Sequence, residues 1–353
     1  MKMAVTTKLR IYLTLYIIII CCSILAFVNK NLLINTVLTH YAQKNFGWQT
    51  TTIKDTLLTK SGSVHWLQLD TQGKFPYATS LKGKQNTQLL KINLIDANLA
   101  DKNIYLSPVL AKTIDPQAPY LQSLQVMGKE NPALIAGING GYFFLNKSKH
   151  HRDENCLSKS YPEFTTQGIG DGLLIINNSA YATNCSSGIF PEKARSSIIE
   201  NQNQQWEIKK TATNKIPSGV INALGAGPGL ITNMNGKPVI SVDWENILST
   251  FEFAANTAVI LATDKNHHCH VIFFTVDGED KVAGMSAIEM ANFIATVLPD
   301  LLHLKIISAM SMDQGHSTTM YVKQANPQIV SRASPNRSPR LIYDGLFIAT
   351  KTT

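Results

Sequence analysis

The chain has 353 residues, of which 44% are hydrophobic and only 16% charged, against roughly 25% charged in an average soluble domain. That length allows one large domain or two small ones with enough apolar material for a core. Low charge with abundant Asn, Ser, Thr and Gln excludes a disordered polyelectrolyte, a coiled coil and a collagen-like chain. The net charge of +8 favours anionic partners such as phosphorylated glycans or a membrane surface. Lys and Arg nowhere form a run of five, so nucleic acid is not an expected partner.

Lys2, Lys8 and Arg10 precede an uncharged apolar stretch, Ile11–Val28. At about 1.5 Å per residue it reaches roughly 27 Å as a helix, close to the hydrocarbon thickness of a bilayer. The basic flank orients the following body outside the cytoplasm. Residues 1–28 therefore read as a signal-anchor, or as a signal peptide whose cleavage leaves a secreted protein. Ile24, three places before a cut after Ala26, fits the small-x-small rule poorly. Cys21 and Cys22 lie inside the apolar stretch, whereas Cys156, Cys185 and Cys269 belong to the body. Outside the cytoplasm Cys156 and Cys185 either form a disulfide or stay as two thiols.

Residues 29–62 are mixed and polar and read as a stalk or peripheral segment, leaving 63–353 as the main domain. Strand patterns begin at Val64–Leu69 and recur at Leu90–Ile95, where Leu90, Ile92 and Leu94 alternate with Lys91 and Asn93. Further strands are expected at Ala133–Ile138, Gly172–Ile176, Ser196–Ile199, Gln205–Ile208, Thr257–Thr263, His270–Val276, Lys305–Met310, Ser317–Val322 and Leu341–Ala349. A short helix is expected over Ala118–Val126. A stronger one covers Ala287–Leu298, with Ile288, Ala291, Ile294 and Leu298 at helical spacing. The segments 146–156 and 177–187 read as surface loops. Many strands with few helices imply an α+β fold of mixed, largely antiparallel β-sheets.

Several segments carry chemistry. Asp313 follows the strand Lys305–Met310 and precedes a turn at Gly315, so it either projects into a cleft or caps its own turn. Asp277 ends an apolar strand before Gly278, a common turn pattern. Ser286 and Glu289 have capping-box spacing ahead of an apolar helix. The loop Gly225-Ala226-Gly227-Pro228-Gly229 lacks the Lys-Ser/Thr of a P-loop and suggests close backbone approach instead. In His267-His268-Cys269-His270 neighbouring side chains alternate faces, so at most two could share a metal ion. His150-His151 lies beside Asp153 and Glu154 in a loop, a second weak metal pattern.

Taken in order, these segments resemble the phosphodiester glycosidase family over roughly residues 133–349. The similarity lies in Asn139-Gly140-Gly141-Tyr142-Phe143, Asp171-Gly172-Leu173, Ala226-Gly227-Pro228-Gly229-Leu230, Val276-Asp277-Gly278, Gly284-Met285-Ser286 with Glu289-Met290-Ala291, Asp313-Gln314-Gly315-His316-Ser317-Thr318, and Arg340 before the last strand. Two features depart from the family pattern. Gln314 and His316 replace glycines beside Asp313, and Asn256 stands where an Arg is usual. The resemblance implies hydrolysis between a sugar anomeric carbon and a phosphodiester phosphate. Asp313 would then be base or nucleophile and Glu289 a second carboxylate, with Asp171 and Asp277 as further catalytic candidates. Asn139, Gly140, Gly141, His316, Ser317 and Arg340 would bind sugar or phosphate, the glycine amides as an anion nest. The partner would be a phosphorylated glycan or another sugar phosphodiester. No cofactor is expected, and the need for a divalent cation is left open. The alternative is a non-catalytic module that binds phosphorylated glycan or cell envelope through a degenerate site.

Overall fold

Alternating apolar residues in Val64–Gln72 (β2) and Leu90–Asn98 (β3) place every second side chain in a core. In a computed structural model these strands pair antiparallel within a large sheet. The structure describes residues 46–72, 89–112, 121–144, 169–183, 194–212, 215–234, 237–240, 255–277, 284–333 and 338–351. All fall in one compact unit, Asn45–Thr353. The eight-stranded sheet runs in the order β1 (Gln49–Leu57), β2, β3, β16 (Cys269–Val276), β15 (Asn256–Thr263), β17 (Lys305–Ser311), β13 (Gly229–Met234) and β14 (Lys237–Ile240).

A five-stranded sheet has the order β19 (Gln328–Arg332), β18 (Thr319–Val322), β5 (Leu134–Asn139), β20 (Asp344–Thr350) and β4 (Ile104–Leu110). Another contains β11 (Trp206–Ala212), β10 (Ala194–Asn201), β12 (Val220–Gly225), β8 (Leu174–Ile176) and β9 (Ser179–Ala182). Phe143–Phe144 (β6) and Ile169–Gly170 (β7) form a small pair. Every described pairing is antiparallel. The expected α+β class holds, with β-structure dominant.

The apolar runs of β15 and β16 are buried almost throughout because both faces are covered. One face packs Val259, Val271, Phe273 and Met310 against Ile138, Leu346 and Ile348 of the five-stranded sheet. On the other, Phe274 meets Phe293 of α2 (Ala287–Thr296) with ring centroids 5.9 Å apart. Burying one such ring contributes about 2–3 kcal/mol, so this two-sided core fixes the strand ends that carry the site. Helix α1 (Leu124–Glu130) lies so close to β18 that a Cβ on Gly128 would stand 2.4 Å from the Tyr321 ring.

Four local expectations differ from the structure. The sheet starts earlier than residue 63, because Gln49–Leu57 is a strand paired with β2. It is an edge strand whose residues are all exposed or half-buried, so it has no need of apolar alternation. The short helix occupies Leu124–Glu130 rather than 118–126, started by Ser123, whose hydroxyl accepts from the Val126 amide. The long helix ends at Thr296, and α3 (Leu298–Leu302) begins anew with Pro299 in its first turn. Ser179–Ala182 is also a strand within a segment read as loop.

The apolar stretch 11–28, with Cys21 and Cys22, lies outside the described residues. So do His150, His151, Cys156 and Cys185. Among the described residues no helix is long and apolar enough to cross a membrane, and Cys269 is a free thiol.

Candidate active site

Strand register brings several chain ends together. Asn256 at the start of β15 lies opposite Val276 at the end of β16, and Ala258 lies opposite Ser311 at the end of β17. In the five-stranded sheet Asn139, at the end of β5, lies opposite Gly345 at the start of β20. The chain leaves β17 at Ser311 and enters β18 at Thr319, and this crossing from sheet to sheet carries Asp313.

The backbone of Asp313 is held on both sides. Its amide donates to Gly140 O at 3.0 Å, and its carbonyl accepts from Asn139 Nδ2 at 2.7 Å. Its Oδ1 accepts from the Gln314 amide at 2.9 Å. Burial pushes the carboxyl up to about 6, against the opposing pull of the Ser317 hydroxyl, the Arg340 charge and the Gln314 amide. Arg340 Nη1 reaches Ser317 Oγ at 3.5 Å, and its guanidinium lies 5.5 Å from the centre of the Phe143 ring.

A second carboxyl faces the first. Asp344, only 3% exposed, accepts from the Gly141 amide through Oδ1 at 2.7 Å. Burial raises it to about 7; the Gly141 amide opposes that rise and the negative charge of Asp313 adds to it. Glycine is required beside it, because a Cβ on Gly140 would stand 2.0 Å from Asp344 Oδ1. Of the two amides expected to cradle a substrate anion, Gly140 N donates to the Asp344 backbone carbonyl and Gly141 N to its carboxyl Oδ1. Asp344 was not among the residues singled out from sequence. Its only signal there is an Asp-Gly pair, the same dipeptide as at Asp171 and Asp277.

The other candidates are placed as follows. Asn139 is fully buried, and its Oδ1 accepts from Thr257 Oγ1 at 2.8 Å and Thr319 N at 3.1 Å. Ser317 is buried beside Asp313, while His316 is exposed in the 3-10 turn Gly315–Ser317. Glu289 completes the capping box of α2: its Oε2 accepts from Ser286 N at 2.8 Å, and its own amide donates to Ser286 Oγ at 3.3 Å. Asp171 forms a buried ion pair with Arg195, Oδ2 to Nη2 at 3.2 Å. Asp277 sits one strand from Asn256, accepting from the Ser331 hydroxyl. Burial pushes it up to about 6 against Ser331, the Arg332 amide and the charges of Lys91 and Arg332.

The departures from the family pattern fit the backbone. Gln314 has φ −115°. Of the loop residues Gln314, Gly315 and His316, only Gly315 (φ +65°) takes the left-handed conformation that favours glycine. Gln314 Oε1 accepts from Asn256 Nδ2 at 3.3 Å, and Asn256 Oδ1 accepts from Ser311 Oγ at 3.0 Å. Asn256 is therefore a buried tie beneath the loop.

The Gly225–Gly229 turn makes the close backbone approach expected of it, since a Cβ on Gly141 or Gly172 would lie 2.3 or 2.0 Å from Gly225 O. In the His-rich segment, His268 Nδ1 lies 3.0 Å from Asp264 Oδ2 and His270 Nδ1 lies 2.8 Å from Asp96 Oδ1. Among the described residues no group of three or more His, Cys, Asp or Glu is arranged to hold a metal.

A family model described as phosphodiester glycosidase matches residues 133–349, a span that contains Asn139, Asp313, Arg340 and Asp344. The chain belongs to the phosphodiester glycosidase family. Among solved structures it is similar to the zebrafish N-acetylglucosamine-1-phosphodiester alpha-N-acetylglucosaminidase catalytic domain, auto-inhibited by its pro-peptide. Identity is 16%, coverage 86% of this chain and 88% of the other, and the TM-score 0.54. It is also similar to a protein from Burkholderia pseudomallei described as exported, with 13% identity, coverage of 86% and 97%, and a TM-score of 0.50. At these identities the likeness is one of fold. A comparison with curated proteins gave no match.

Proposed function

We propose that this member of the phosphodiester glycosidase family is an extracytoplasmic hydrolase that splits the bond between a sugar anomeric carbon and the phosphate of a phosphodiester. The observation that carries this reading is the pairing of Asp313 with Asp344 beside Arg340 and Ser317. Two carboxyls whose surroundings push them to different acidities divide the roles of acid and base. Asp313, with Arg340 and two hydrogen-bond donors, is the group that ionises first and acts as nucleophile or water-activating base. Asp344 keeps its proton to a higher pH and gives it to the departing phosphate oxygen. A phosphate is a weak base, so this proton matters less here than in cleavage of an ordinary glycoside. The Arg340 fork holds phosphate oxygens. The basic and apolar N-terminus supports delivery outside the cytoplasm, membrane-anchored or secreted.

The test is release of free sugar by the purified full chain from a panel of sugar phosphodiesters and the matching monoesters. Release from diesters alone is expected, with Asp313→Asn slower by roughly 1,000-fold or more. An Asp313→Asn protein at full rate would falsify the assignment. Saturable diester binding without sugar release by the unaltered protein would favour the non-catalytic binding module.

A further inference from the structure

We propose that Asn139-Gly140-Gly141 is a positioning clamp that sets the distance between the two carboxyl groups of the site, and that Asn139 is its positioning residue for Asp313. The proposal rests on the hydrolase reading above and deepens it. Three consecutive residues at the end of β5 make four hydrogen bonds, two to each carboxyl-bearing residue. Asn139 Nδ2 and Gly140 O grip the backbone of Asp313 at 2.7 and 3.0 Å; Gly140 N and Gly141 N grip Asp344 at 3.0 and 2.7 Å. Asp313 enters from the loop between two sheets, whereas Asp344 starts β20. Apart from the clamp, each is tied to neighbours on its own side: Asp313 through the Gln314 amide, Ser317 and Arg340, and Asp344 through strand pairing with Leu110.

A substrate-binding role for Asn139 leaves little to bind with. The residue is fully buried, its Oδ1 already accepts two hydrogen bonds, and one of its two Nδ2 hydrogens goes to Asp313 O. Thr257 matters through Asn139, since its hydroxyl fixes which way the carboxamide points. The glycines fit the same purpose: a side chain at Gly140 would occupy the place of Asp344 Oδ1, and one at Gly141 would meet Gly225 O. Because attraction and repulsion between charges vary inversely with distance, a loosened clamp changes how strongly Asp313 raises Asp344. That coupling is visible in a pH profile, whereas a merely structural asparagine would leave the profile in place.

The experiment compares kcat and KM of the full chain, Asn139→Ala and Thr257→Val from about pH 4.5 to about pH 9 on one sugar phosphodiester, with rates per folded molecule. For Asn139→Ala, kcat is expected to fall about 30-fold with KM within about threefold. The alkaline limb is expected to move about half a pH unit or more toward acid as Asp344 loses the field of Asp313. Thr257→Val is expected to shift the limb the same way by less, and it carries the test if Asn139→Ala fails to fold. Unmoved limbs overturn the clamp, whatever happens to kcat. A raised KM at unchanged kcat overturns it too, by making Asn139 a substrate ligand. Absence of sugar release by the unaltered protein refutes the hydrolase reading itself and the clamp with it. Turnover with unmoved limbs in both variants refutes the clamp alone.

Discussion

Asp344 is the side chain on which the acid–base argument turns. Its carboxyl takes one short hydrogen bond, from the Gly141 amide, and otherwise meets low dielectric and the charge of Asp313. Both conditions favour the protonated form, so near neutral pH Asp344 can still donate where an exposed aspartate would long have ionised. The pH–rate profile should therefore be a bell displaced above the ordinary carboxylate range, rising as Asp313 ionises and falling as Asp344 loses its proton at higher pH. Asp344→Asn keeps an oxygen for the Gly141 amide but has no proton to give. It is expected to lower kcat roughly 100-fold and to abolish the falling limb, leaving the single rise of Asp313. An Asp344→Asn protein that still loses activity on the alkaline side would assign that limb to another group.

The strand ends and the helix cap show how local chemistry was divided between support and reaction. Glu289 stands in the first turn of α2 with its carboxylate on the Ser286 amide and hydroxyl, the full capping box that Ser-x-x-Glu spacing implied. Glutamine serves the same box, so Glu289→Gln is expected to keep kcat within about threefold of the unaltered protein, with melting a few degrees lower. A loss matching that of Asp313→Asn would return Glu289 to the chemistry. The same division explains what could be read from the amino acids in advance. Strands with two buried faces, such as β15 and β16, were evident from their apolar runs, whereas the Thr-rich edge strand β1 was not, because solvent places no period-2 demand on it. Asp313, Ser317 and Arg340 stand in ordered motifs, and the fold brings the three together. Asn139, Gly140 and Gly141 stand in such a motif too, but their hydrogen bonds to Asp313 and Asp344 cannot be read from it. The carboxyl that accepts from the Gly141 amide lies 203 residues away along the chain, and only strand pairing of β5 with β20 puts it there. Asp171 was placed by a partner of the same hidden kind, the buried Arg195, 24 residues away.

Burying several carboxyls has a consequence for the stability of the folded chain as a whole. Asp313, Asp277 and Asp344 are raised from the ordinary 3.8 to about 6, 6 and 7, and partial burial raises Glu200 despite the Asn222 amide. Between about pH 4 and pH 7 the folded protein therefore holds protons that the unfolded chain has released. Stability linked to these groups is full below the unfolded value and is lost as pH rises through the folded ones. Asp101 acts in the opposite sense, lowered by the Ser63 hydroxyl, the Asn103 amide and the Ser61 hydroxyl, but it lies at the surface, half-buried, where solvent screens it. The buried set dominates, so melting near pH 5 should lie several degrees above melting near pH 7.5. Asp344→Asn removes the member raised furthest, so it should flatten that slope and melt higher than the unaltered protein near pH 7.5 while being the poorer catalyst. A protein kept less stable at neutral pH by the carboxyl its chemistry requires follows the familiar exchange of stability for function. Calorimetric scans of both proteins across this range decide it: a melting temperature that is flat or rises toward pH 7.5 would show that Asp313 and Asp344 are ionised in the folded state at much lower pH, and would remove Asp344 as a proton donor.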